Sequence, residues 1–103
     1  MSLLAELCVL FEKRKYAVVE VPTELGPTLL LNQDDPEGGV TAEGEGDPAA
    51  LIEVWQNGDL LCLDAAEIGT LKFASAGELD RFVYDLLARG WENLHPDDYR
   101  IVH

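Results

Sequence analysis

Apolar positions recur at two different spacings along this chain, helical at its ends and alternating in its middle. Leu4, Leu7, Cys8 and Phe11 fall at i, i+3, i+4 and i+7, the stripe of an amphipathic helix. The spacing predicts a helix from about Leu3 to Lys13, capped by Ser2. Leu3, Val9 and Leu10 broaden the stripe, so the helix is expected to be covered on more than one side. Leu79, Phe82, Val83, Leu86 and Leu87 form a second stripe behind Ser75-Ala-Gly-Glu78, a capping box. This predicts a helix over about Ala76 to Arg89, with Arg81–Asp85 and Asp85–Arg89 as i,i+4 pairs. Gly90 suits the C′ position, and Trp91 is placed to fold back on Leu86.

Between these helices the period drops to two. Tyr16 to Val21 and Thr28 to Gln33 read as antiparallel strands, with Pro22 ending the first and Thr23 to Gly26 turning the chain. Leu51 to Asp64, LIEVWQNGDLLCLD, reads as a hairpin closed by Asn57-Gly58. That turn sets Trp55 opposite Leu60, Val54 opposite Leu61 and Glu53 opposite Cys62. Ile52, Val54, Leu61 and Leu63 then share an apolar face. Leu51, Trp55, Leu60 and Cys62 share the other with Glu53 and Asp64. Thr70 to Ala74 reads as a further strand, and Tyr99 to Val102 as a closing edge strand. Residues 34–48 hold four glycines, two prolines and six acids; they read as a loop, with room for a short strand at Val40 to Glu43. The expected fold is one α+β domain over residues 1–103: two layers, an N-terminal helix, four to five mostly antiparallel strands and a C-terminal helix.

Charge changes the picture more than composition does. With 103 residues and 48% hydrophobic content, the chain has enough apolar surface for a core without metal or disulfide. Twenty acids against seven bases give a net charge of −13. Such a balance disfavours nucleic acid and anionic membrane as partners; it fits a protein partner with a basic surface, and equally serves solubility alone. No Lys or Arg stands between Lys15 and Lys72, an interval holding twelve acids. Cys8 and Cys62 sit in apolar patterns and read as small buried hydrophobes rather than a disulfide. No leader pattern and no run of 18 apolar residues is seen, so a cytoplasmic protein is expected. Lys13, Arg14 and Lys15 suit the C-terminal dipole of the first helix.

Enzyme signatures are lacking: no GxSxG, P-loop, HExxH or dinucleotide fingerprint occurs. His95-Pro96-Asp97-Asp98 reads as a turn, not a metal site, and Asp34-Asp35-Pro36-Glu37 lacks the alternating spacing that calcium wants. No cofactor or metal is expected. The strongest lead is the second hairpin face, where Trp55 stands among Glu53, Asp59, Leu60 and Asp64. Acids of the neighbouring loop, Asp34, Asp35, Glu37, Glu43 and Glu45, are expected to extend it. An aromatic anchor ringed by acids is what a partner site would show. The competing arrangement lays the first helix, or the tail with Trp91 and Tyr99, over that face.

Three segments carry a family likeness: W-Q-N-G-D at 55–59, G-T-L-K-F at 69–73, and the helix from S-A-G-E-L-D-R-F to A-R-G-W at 75–91. With its small size and acidity, the chain resembles the immunity proteins of bacterial polymorphic and contact-delivered toxins. The resemblance implies a non-enzymatic inhibitor, monomer or homodimer, that docks on a cognate toxin domain. Alternatives are a secretion chaperone or adaptor, a nucleic-acid-mimicking inhibitor, or a small enzyme using Glu53, Asp64 or His95.

Overall fold

The computed structural model describes residues 2–33, 36–37 and 51–102. Its two α-helices start and stop where the periodicity places them: α1 at Leu3–Lys13 and α2 at Ala76–Arg89. The caps explain the precision. Ser2 Oγ accepts from the Ala5 amide at 3.1 Å, and Ser75 Oγ from the Glu78 amide at 3.2 Å, each satisfying an orphan first-turn donor. Only half of the Ser75–Glu78 box forms, because Glu78 Oε2 is buried with no hydrogen-bond partner.

Among the described residues, six strands follow one another across a single antiparallel sheet: β1 (Val19–Thr23), β2 (Gly26–Asn32), β3 (Leu51–Asn57), β4 (Leu60–Ala65), β5 (Gly69–Phe73) and β6 (Ile101–Val102). The fold is α+β, with one strand more than the four to five expected. β1 starts three residues late. Tyr16 packs its ring on Phe11 at 5.6 Å, and the Ala17 amide donates to the Pro36 carbonyl at 2.7 Å, so neither joins the ladder. Pro22 lies inside β1 opposite Pro27 rather than ending it. β1 is an edge strand, where proline's missing N–H costs no ladder bond. The turn is Glu24-Leu25.

The hairpin register also differs from expectation. Asn57 pairs Leu60, so Gly58-Asp59 forms the turn, and Trp55 faces Cys62, Val54 faces Leu63 and Glu53 faces Asp64. Gly58 has φ +62° while Asp59 keeps a negative φ, the Gly-first pattern of a type II′ turn. Each partner moves by two residues, so the composition of the two faces is unchanged.

Both helices lie on one face, α1 over β3 and β4, α2 over β4 and β5. Cross-strand rows Leu29–Val54–Leu63–Leu71 and Leu31–Ile52–Ala65 meet Leu7 and Phe11 of α1 and Leu79, Phe82, Val83 and Leu86 of α2. Each fully buried Leu, Ile, Val or Phe among them contributes roughly 1.5–3 kcal/mol by leaving water. Phe82 is the aromatic hub, 5.4 Å from Phe73, 5.2 Å from Tyr99 and 6.2 Å from Trp91. Trp91 therefore closes on Phe82, and Gly90, at φ +81° and ψ 155°, leaves the helix extended rather than in the left-handed cap expected for Leu86 contact.

The basic cluster after α1 has a structural use. Arg14 forms a bidentate pair with Asp80 of α2, Nε to Oδ1 at 2.9 Å and Nη2 to Oδ2 at 2.8 Å, and lies 4.3 Å from the Tyr84 ring centroid. The two i,i+4 pairs expected on α2 do not form. Asp85 instead accepts the Tyr99 hydroxyl, and Arg81 stacks on the Tyr99 ring at 5.4 Å. The tail is thus drawn onto the helix side of the sheet. Of the residues that broaden the α1 stripe, Leu3 and Leu10 are half-buried against the core, while Val9 stays 41% exposed.

Candidate functional site

Strand alternation sends every second side chain of the sheet away from the helices. On that face the register builds two cross-strand rows. One runs Val21, Thr28, Trp55, Cys62, Lys72 and Val102; the other runs Val19, Leu30, Glu53, Asp64 and Thr70. Among the described residues no helix and no part of the tail packs on this face. α1, α2, Trp91, Leu94 and Tyr99 all belong to the core on the opposite side.

Trp55 occupies a central strand of the face. Its indole is half-buried, standing between Thr28 and Cys62, each only 2% exposed. Thr28 Oγ1 is 2.9 Å from Thr23 Oγ1 and 3.3 Å from the Gly26 carbonyl, so this buried hydroxyl beside Trp55 in the register is satisfied within the β1–β2 turn. Cys62 carries a free thiol whose pKa is raised by burial, with Lys72 pulling the other way. A thiol held protonated packs as a small apolar group.

Glu53 and Asp64 face each other directly across β3 and β4. Like charges in that position destabilise a sheet by some tenths of a kcal/mol. Asp64 Oδ1 accepts from the Thr70 hydroxyl at 3.2 Å. Glu53 is exposed and has no ion pair or hydrogen bond among the described residues. Glu53 also separates two hollows. One of about 190 Å³ is lined by Leu51, Glu53, Asp64, Ala65 and Ala66; the other, about 320 Å³, by Thr23, Glu24, Leu25, Thr28 and Glu53. Leu25 is 58% exposed on the rim of the second.

The expected site residues divide into three groups. Glu53, Trp55, Leu60 and Asp64 lie on the face turned away from both helices, with Asp59 exposed in the turn at its end. Glu37 is described and exposed, away from the ladder. Asp34, Asp35, Glu43 and Glu45, with the strand expected at Val40 to Glu43, lie outside the described residues. Sequence reasoning missed Thr28, Glu24 and Leu25 as neighbours of this face. The alternation within β2 carried that signal, but only the pairing of β2 with β3 puts Thr28 beside Trp55.

Elsewhere, Cys8, Glu12, Tyr16, Val18, Glu20 and Leu29 line a hollow of about 250 Å³ between α1 and the sheet edge. The Cys8 thiol pKa is pushed up by burial first, then by the Glu20 and Glu12 carboxylates, which disfavours a reactive thiolate. His95 is exposed, and its carbonyl accepts from the Asp98 amide at 2.9 Å within a 3-10 turn over Pro96–Asp98. Among the described residues no three His, Cys, Asp or Glu side chains gather closely enough to hold a metal ion, and no helix is long and apolar enough to cross a membrane. No protein-family profile matches the chain, and no curated protein or solved structure is significantly similar to it.

Proposed function

We propose that this chain is a binding protein rather than a catalyst, an acidic inhibitor of the immunity-protein kind that docks on the basic cleft of a cognate toxin domain. The reading rests on one observation: a half-buried tryptophan at the middle of a sheet face on which no described element packs, beside a directly opposed carboxylate pair. Tryptophan in a partly desolvated setting is the residue type that most often carries binding energy at an interface. The Glu53–Asp64 pair is costly in the free protein and is relieved by a cation from a partner. The net charge of −13 adds a long-range field that speeds encounter with a basic surface.

The test is a tagged pull-down from the native cell, followed by co-expression of the captured domain with this chain. Wild type should rescue growth from that domain. Trp55→Ser with Glu53→Lys should not, while keeping its folded circular dichroism. Val9→Ser, on the opposite side, should rescue as well as wild type. Rescue that survives the double variant and is lost with Val9→Ser would place the docking surface on the helices instead. A captured partner that is an unfolded secreted protein would make the chain a chaperone.

A further inference from the structure

We infer that the outer edge of β5 is a strand-addition site for an extended peptide segment of a protein partner, and that the two-residue β6 is a displaceable placeholder on it. This goes beyond the docking face, because an edge recognises main-chain groups rather than a side-chain surface.

β5 is paired along all five residues with β4, but on its other side, among the described residues, only Lys72 and Phe73 have partners, Val102 and Ile101. The Ile101 amide is spent on the Tyr99 carbonyl at 3.0 Å. The Lys72–Val102 pair therefore carries the β5–β6 main-chain bonds. Antiparallel alternation then turns the N–H and C=O of Thr70 outward as well, where no strand lies among the described residues. β6 is anchored behind its first residue, at Tyr99, whose hydroxyl bonds Asp85 and whose ring meets Phe82. Ile101 and Val102 can leave β5 without releasing that anchor. The opposite edge is protected: β1 carries Pro22, with exposed Glu20 and Glu24 beside it, the usual devices against edge pairing.

The register specifies the segment. A strand running as β6 does, and continuing past the position of Val102, meets Phe73, Lys72, Leu71 and Thr70 in turn. Residues opposite Phe73 and Leu71 lie on the helix side, where Ile101 and Leu71 already pack on the core, and should be apolar. The residue opposite Thr70 lies on the face turned away from the helices, at the end of the Glu53–Asp64–Thr70 row, and should be basic. Such a strand makes main-chain bonds at Lys72 and Thr70, twice what β6 makes.

The probe is the acetylated, amidated hexapeptide Thr-Ile-Val-Ile-Arg-Thr, titrated into the ¹⁵N-labelled full chain. The amides of Thr70, Leu71 and Lys72 should shift saturably, and exchange of the Thr70 amide should slow by about tenfold, the effect of adding a bond worth roughly 1.4 kcal/mol. A peptide with proline in place of the arginine should lose the effect, and one with glutamate there should weaken it. Val102→Pro, which removes the donor of β6 in a protein still anchored by Tyr99, should strengthen binding. An unmoved Thr70 amide, equal shifts from the proline peptide, or weaker binding by Val102→Pro would each overturn the inference. Failure here leaves growth rescue through Trp55 intact, so the two proposals fall separately.

Discussion

Removing either partner of the Arg14–Asp80 clamp should destabilise the fold, but unequally. The Asp80 side chain is 8% exposed and the Arg14 side chain 32%. Arg14→Met keeps an apolar stem on the Tyr84 ring and strands a nearly dry carboxylate. Breaking a buried pair this way costs about 3 kcal/mol. Asp80→Ala strands a guanidinium that already reaches water, so its cost is mainly the two charge-assisted bonds, about 1.5–2 kcal/mol. The double variant Arg14→Met, Asp80→Leu removes both charges and should return to within about 1 kcal/mol of wild type. Urea unfolding followed by circular dichroism gives all three values. In thermal melts the arginine variant should lose roughly 12–24 °C, since about 1 kcal/mol is worth about 4–8 °C at this size. An aspartate variant less stable than the arginine variant would refute the burial argument. A double variant as unstable as the sum of the singles would refute the pairing itself.

Alkaline stability should depend on Tyr99. Its pKa is raised to about 12, by burial first and then by the hydrogen bond to Asp85. The unfolded phenol ionises near 10 while the folded one stays neutral, so its contribution is constant below pH 10 and is lost as pH rises towards 12. Tyr99→Phe should remove that part of the pH dependence, on the order of 2 kcal/mol by linkage, in denaturation curves taken across the window. Gly58→Ala should cost about 1–2 kcal/mol in the same assay, because Gly58 sits at φ +62° with nothing near its Cβ position. The penalty is conformational alone. Reversing Glu53 and Asp64 to lysine should slow association with a captured basic partner about tenfold at low salt and flatten its salt dependence in stopped-flow measurements. An unchanged rate would move the site off the sheet.

Local chemistry made much of this protein legible. The helices follow from short-range rules. A 3.6-residue turn aligns Leu4, Leu7 and Phe11 in one and Leu79, Val83 and Leu86 in the other, and Ser2 and Ser75 supply the missing acceptors at either start. The face membership of Trp55, Glu53, Leu60 and Asp64 also follows, since alternation is a backbone property that survives a two-residue change of register. The register itself did not, because Asn57-Gly58 and Gly58-Asp59 both present glycine at a hairpin turn, and neighbouring strands select between them. Nor could the chain reveal that both helices and Tyr99 choose the same side of the sheet. That choice depends on long-range partners, Arg14 finding Asp80 and Tyr99 finding Asp85, which sequence distance hides. Periodicity decides which side chains share a face, whereas only the packed structure decides which face the two helices take, because covering one face well consumes the apolar surface that would cover the other.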